Sequence, residues 1–203
     1  LKGRALDEEI SENTVLPPRL RSLTKPRFLA GEQKLTGAER GTAIHLALQY
    51  LDFSEESDEV GVRAQLEAMR VQRKLTDEQV EAVDVRAIVR FLQSPLAERI
   101  RASKQVEREY RFSLLRPVRD FAVVNSDDEV LLQGVVDCFF EEDGELVVVD
   151  FKTDRVTSAQ LEERAEHYRP QLEAYSMALS RVTGKRVKEK LLYFFSAGDE
   201  VRL

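Results

Sequence analysis

Apolar residues recur at helical spacing through the first half of the chain and at alternate positions through much of the second. From Thr36 to about Asp52 the pattern is helical, and Thr36 with Glu39 three residues on forms a capping box. After an acidic loop over 54–60, a second helix is predicted over about 59–72, with Val62, Leu66 and Met69 on one stripe. Thr76 caps a third, with Glu78 and Gln79 in its first turn, Val80, Val83, Ala87 and Val89 to Leu92 inside, and Pro95 as its end. A short helix follows to about Ala102. The period then changes. Val106 to Leu115 alternates, and Glu129–Phe140 and Glu145–Phe151 read as strands. Ser158 to about Thr183 is a long amphipathic helix ending at Gly184, a C-cap; Leu191–Ser196 is a further strand and 199–203 starts another. The predicted class is α/β: a mixed sheet flanked by helices, with the crossover helix on one face. By organisation, residues 1–35, with Pro17-Pro18 and Pro26, are an extended linker; 36–104 form a helical portion and 105–203 a sheet core.

The stretch GVVDCFFEEDGELVVVDFKTD, residues 134–154, breaks the hydrophobic pattern. Asp137, Asp150 and Lys152 stand within two of the most apolar runs, the aspartates following apolar residues near strand ends. Asp143-Gly144 is a strong two-residue turn, because a type I′ turn needs φ > 0 at both positions. Counting outward pairs Glu142 with Glu145, Phe140 with Val147 and Asp137 with Asp150. The two carboxylates then face each other across the hairpin, Cβ atoms about 5 Å apart, with Lys152 on the same face. Buried like charges repel. Either the face is an exposed charged one with Lys152 as an ordinary ion-pair partner, or Lys152 and a divalent cation hold the carboxylates together.

Composition narrows the setting. The chain has 203 residues, is 42% hydrophobic and 33% charged, and suits one domain with elaborations. No apolar run is long enough to cross a bilayer, and the charged N-terminus shows no signal peptide. Beginning at Leu, the chain is expected to be a piece of a longer one or a processed one. With a single cysteine, Cys138, there is no internal disulfide and no Cys-ligated zinc or iron–sulfur site, and the default setting is a reducing cytoplasm. The net charge of −6 argues against nonspecific coating of nucleic acid. Basic residues nevertheless cluster, at Arg19, Arg21, Lys25 and Arg27, and again at Arg99, Arg101, Lys104, Arg108, Arg111, Arg116 and Arg119; each cluster reads equally as solvated surface or as a local channel.

Two further features carry chemistry. Gly41 and His45 sit four apart on the first helix. A glycine there costs about 1 kcal/mol against alanine, which close approach of a backbone or ligand would explain. His45 is a packed histidine or a third metal ligand. On the long helix, Tyr168, Gln171 and Tyr175 share a stripe with Arg164. That stripe is boundary packing with polar tips, or a ridge contacting phosphate, sugar or bases of a single strand.

GVVDCFF and VVVDFKTD resemble the core of the PD-(D/E)xK nuclease superfamily. With GTAIH at 41–45 and YRPQLEAY, a Q-x-x-x-Y element, at 168–175, the ordered set resembles the RecB-like nucleases. The segment SLTKPRFL…LTGAERGT brings the resemblance closest to the C-terminal nuclease domains of the A subunits of AddAB-type helicase–nucleases, over about residues 20–200. The resemblance implies a restriction-endonuclease-like core and a Mg²⁺-dependent deoxyribonuclease, with Mn²⁺ able to substitute, that cuts single-stranded DNA during double-strand-break repair. It implies metal ligands in His45, Asp137, Asp150 and the Phe151 carbonyl, catalysis by Asp137, Asp150 and Lys152, and support from Gln171, Tyr175, Tyr168, Gly41 and Glu109. The implied partners are DNA ends, a helicase part of the same polypeptide and the B subunit of the complex, in the bacterial cytoplasm beside the nucleoid. No G-x-x-x-x-G-K-[ST] loop occurs, so the motor would lie outside this chain. The cluster-binding cysteines of some relatives are missing, so no iron–sulfur cluster is expected. The alternative is a catalytically silent module of this fold that binds a partner subunit or DNA. A stand-alone restriction-like endonuclease is a third reading.

Overall fold

The computed structural model describes residues 35–55, 57–117 and 128–203. The extended N-terminal segment, the first basic cluster and Arg119 lie outside the described residues. Helix α1 spans Gly37–Tyr50 and begins with the predicted capping box: Thr36 Oγ1 accepts from the Glu39 N–H, and the Glu39 carboxylate accepts from the Thr36 N–H. Helix α2 spans Glu59–Val71. The expected third helix is two, α3 (Asp77–Ala82) and α4 (Val85–Leu92). Val83 turns extended and Asp84 starts the chain again as an N-cap, its carboxylate accepting from the Ala87 N–H at 3.1 Å. Apolar periodicity runs through both pieces and hides this break. Helix α5 spans Pro95–Ala102, with Pro95 in its first turn, where the missing N–H costs nothing.

Strands β1 (Val106–Pro117), β2 (Glu129–Glu142), β3 (Glu145–Lys152), β4 (Val187–Phe194) and β5 (Asp199–Arg202) form one sheet in the order β1-β2-β3-β4-β5. Helix α6 (Leu161–Thr183) follows a short 3₁₀ turn at Ser158–Gln160 and ends at Gly184, φ 71°. It is the crossover between the parallel pair β3 and β4, whereas β2–β3 and β4–β5 pair antiparallel. Asp143 (φ 56°) and Gly144 (φ 81°) make the predicted turn, and the β2–β3 ladder runs from Glu142–Glu145 to Cys138–Val149 in the register counted from it. Asp137 is not near the end of β2, as the apolar runs suggest. It lies well inside the strand, one residue past the last ladder pair.

The described residues divide into one compact unit, 35–109 with 136–203, and another that holds 110–117 and 128–135. In the second, Gln133 Nε2 donates to Ser113 Oγ at 3.1 Å. The first holds the main core and every residue discussed below. Within it, Cys138, Phe140, Val147, Val149, Phe151, Leu191 and Tyr193, alternating along the strands, and Phe195 just past β4 are buried in one cluster with residues of α1, α2, α4 and α5, against which Val80 of α3 packs. Phe91 of α4 is its hub, with ring centroids 5.2 Å from Phe151, 4.9 Å from Tyr193 and 5.5 Å from Phe53. Each such pair contributes about 0.5–1.5 kcal/mol beyond area burial. Anchoring Phe151 has a consequence for its neighbours: Asp150 and Lys152 must project to the opposite face, where α6 packs.

Candidate active site

The ladder between β2 and β3 stops at Cys138–Val149, and a side chain takes over. Asp137 Oδ2 accepts the Phe151 N–H at 2.8 Å. The bond satisfies a buried backbone donor and fixes the carboxylate, whose other oxygen, Oδ1, stands 3.5 Å from His45 Nδ1. Asp137 and Asp150 are the two buried charged residues among the described ones, 6% and 1% exposed.

Glu109 completes this group. It sits in β1 with φ 54°, a left-handed conformation that costs about 1–3 kcal/mol for a non-glycine residue and persists only where the surroundings impose it. Donor atoms of His45, Glu109 and Asp137 all lie within 4.8 Å of one another. The residue before it, Arg108, donates to the Leu48 carbonyl at 2.7 Å and the Leu51 carbonyl at 2.5 Å. Those belong to the last turn and the C-cap of α1, so Arg108 ties β1, and with it Glu109, to the helix that carries His45. Burial lowers the Arg108 pKa. Arg108 is thus a clamp, and Arg99 pairs with Glu142 and Glu189; these two members of the basic cluster do not line a channel.

Asp150 stands outside that triad of donors, beside Lys152. Lys152 Nζ lies 2.8 Å from Asp150 Oδ2, an ion pair by distance but off the line of a hydrogen bond, so this buried oxygen has no hydrogen-bond partner. Burial, then the Asp137 charge, raises the Asp150 pKa; Lys152 and His45 offset only part of this. At His45 burial works against the imidazolium, but Asp137, with Asp150 and Glu109 behind it, outweighs burial and lifts the pKa from 6.5 to about 9.

Helix α6 supplies the other wall. Gln171 Oε1 accepts from Lys152 Nζ at 3.0 Å, and Gln171 Nε2 donates to the Tyr175 hydroxyl at 2.7 Å. Tyr175 is buried; burial, then the two aspartates, push its pKa up, so its hydroxyl stays protonated. Lys152 Nζ is 3.7 Å from the centroid of the Tyr168 ring. The polar stripe therefore turns inward onto the lysine, and both ends of the Gln171 amide are engaged by the protein itself. Gly41 is explained by Thr153: a Cβ on Gly41 would meet Thr153 Oγ1 at 2.8 Å, shorter than real Cβ contacts allow. The close neighbour is a threonine hydroxyl next to Lys152 rather than a backbone or a ligand. Burial pushes the Cys138 thiol up to about 12, which makes it an inert core residue.

The structure thus gathers His45, Asp137 and Asp150 with Lys152, then Gln171, Tyr175 and Tyr168. It moves Glu109 from a supporting position into the donor cluster. It also adds Thr153, for which residue type and spacing give no signal beyond proximity to Lys152, and turns Arg108 from a member of a basic cluster into a clamp. The donor set of two carboxylates and an imidazole, with the unsatisfied Asp150 oxygen nearby, fits a divalent cation. The oxygens suit Mg²⁺ or Mn²⁺, and the imidazole favours the latter.

Comparisons with known proteins find relatives over nearly the whole chain. An ATP-dependent helicase/nuclease chain of Acetivibrio thermocellus, the A subunit of its enzyme, is 40% identical over 202 residues, which cover 96% of this chain and 16% of that protein. The protein of the same name from Clostridium acetobutylicum is 37% identical over 186 residues, 88% of this chain and 15% of its own length. That from a Clostridium botulinum strain is 35% identical over 203 residues, 98% of this chain and 16% of its own. The chain thus spans about one-sixth of the length of these relatives. No helix among the described residues is long and apolar enough to cross a membrane. With residues 19–201 matching the family as a whole, and its carboxylates and lysine meeting on one hairpin, the chain belongs to the PD-(D/E)XK nuclease superfamily.

Proposed function

We propose that this domain hydrolyses phosphodiester bonds of single-stranded DNA with a bound Mg²⁺ or Mn²⁺, as the nuclease part of a helicase–nuclease that processes double-strand breaks in the bacterial cytoplasm. The observation that carries the proposal is the buried Asp150 oxygen, ion-paired with Lys152 yet without a hydrogen-bond partner, next to a triad of donors. His45, Glu109, Asp137 and Asp150 would hold the cation, with the Phe151 carbonyl as a further ligand. The cation would polarise the phosphate and acidify the attacking water.

The chain's own residues account for the rest. Asp137 is pinned by the Phe151 N–H, so its other oxygen, Oδ1 beside His45, is held in place. Lys152, gripped by Asp150 and Gln171, presents positive charge where the phosphate gains negative charge. Water oxygen bonds to phosphorus, one ester P–O bond breaks, and the departing oxygen takes up a proton. The relatives' names motivate the wider assignment: a helicase part of the same polypeptide would feed single strands to the site, and the partner would be a B subunit. A silent module has no need to bury a carboxylate oxygen without a hydrogen-bond partner at a structural cost.

The test is cleavage of single-stranded DNA with Mg²⁺. Asp150→Ala and Lys152→Ala are each expected to lower the rate about a thousandfold or more while circular dichroism stays native. Undiminished cleavage by either would sink the assignment.

A further inference from the structure

Lysine is a mobile point charge on a flexible four-carbon stem, and a productive geometry has to be imposed on it. Asp150 and Gln171 restrain Nζ from two directions. A third restraint comes from Tyr168, whose ring lies under Nζ at 3.7 Å from the centroid, well within cation–π range. The ring is itself held. Tyr168 Oη donates to Asp154 Oδ2 at 2.5 Å, and the same oxygen accepts Arg164 Nε at 2.8 Å. Arg164 Nη2 also donates to Tyr168 Oη at 3.2 Å. Asp154 follows Lys152 by two residues, so the segment that carries the lysine also carries the anchor for the ring that steadies it.

From this we infer that Tyr168 is a positioning residue for Lys152, fixed in place by Asp154 and Arg164, and that it is not a contact to the DNA strand. The inference rests on the nuclease reading for its catalytic consequence. Its structural half stands apart from that reading. The aromatic face raises the fraction of time Nζ spends at the reacting phosphate, so its removal must appear in kcat. A tyrosine that instead stacked on a base would appear in KM.

The experiment compares wild type, Tyr168→Phe, Tyr168→Leu and Asp154→Ala in this 203-residue chain. The Lys152 side-chain methylene resonances, assigned by their loss in Lys152→Arg, should be shifted upfield by the ring in wild type and Tyr168→Phe. In Tyr168→Leu they should move to ordinary lysine positions, and in Asp154→Ala part of the way. Single-stranded DNA cleavage should show kcat about ten- to thirtyfold lower in Tyr168→Leu with KM unchanged, recovered to within about threefold in Tyr168→Phe. Resonances that ignore Tyr168→Leu overturn the inference whether or not the chain cleaves DNA. A rise in KM at constant kcat overturns it in favour of a DNA contact. Wild-type cleavage by Lys152→Ala would instead refute the catalytic reading beneath it, a failure visible without any Tyr168 variant.

Discussion

The two ends of the β2–β3 ladder are both charged, and they are built in opposite ways. At the turn, Glu142 accepts Arg99 through both oxygens at 2.9 and 2.8 Å and pairs with Lys188 at 2.8 Å. Arg99 also pairs with Glu189, which takes Arg202 at 2.9 Å, and Lys185 pairs with Glu141. Every carboxylate named there has a cation in direct contact, and water reaches the cluster. At the other end Asp137, Asp150 and Glu109 converge on His45 and Lys152, and one buried aspartate oxygen has no hydrogen-bond partner. Compensated charge near water adds modestly to stability. Uncompensated charge away from water subtracts from it and is retained where a cation or a reaction needs it. A single hairpin thus carries a structural cluster and a candidate active site about one strand length apart.

The contrast is sharpest in variants that should move stability and activity in opposite directions. Asp150→Asn is expected to reduce cleavage about a thousandfold, yet in the presence of a chelator to raise folding stability by about 1 kcal/mol, because it removes a buried charge whose ionisation the fold disfavours. Urea unfolding beside a cleavage assay reads both; a loss of stability would mean that the carboxylate is already compensated without a cation. Arg99→Ala should do the reverse, costing about 2 kcal/mol through the two carboxylates it leaves with fewer partners while cleavage stays within about threefold of wild type.

Gly41→Ala is expected to lose about 1 kcal/mol despite its better helix propensity, because the new methyl meets Thr153 Oγ1. Adding Thr153→Ala should turn that loss into a gain, and additive effects in thermal unfolding would argue against the contact. The smallest effect is in acid. Hydrogen bonds from Arg99 and Lys188 hold Glu142 down from 4.5 to about 2. A depressed carboxylate stabilises the fold fully above its unfolded pKa, and the benefit fades as pH falls from about 4.5 towards about 2. After allowance for solvent screening it is worth about 1 kcal/mol. Glu142→Gln should therefore flatten the pH dependence of stability in that window and leave neutral-pH cleavage as it was.

Much of this is legible along the chain because its signals are local. Capping boxes, the Asp143-Gly144 turn and the αL cap at Gly184 act over two to four residues, and the hairpin register follows from the turn alone. From that register the opposition of Asp137 and Asp150 can be counted. The break between α3 and α4 is hidden because an apolar stripe continues across it, and the one local sign, an N-capping aspartate, is also an ordinary helix residue. Glu109 is obscured for a different reason: in an alternating strand its side chain should follow the period, and a left-handed residue resets that period without any glycine to announce it.

The elements, their order, the turn and the charged residues that depart from the hydrophobic pattern depend on neighbours a few positions away, so they can be read from the amino acids in order. What those charges face is settled in three dimensions. Arg108 is a clamp on the last turn of α1, Thr153 fills the space left by Gly41, and the polar stripe of α6 turns toward Lys152 instead of outward. The physical reason is that burial and charge compensation are set by distance in space. Residues 45, 109 and 137 are far apart in sequence, and the cost of their meeting beside the Asp150 charge appears only when the sheet and helices bring their donor atoms within 4.8 Å of one another.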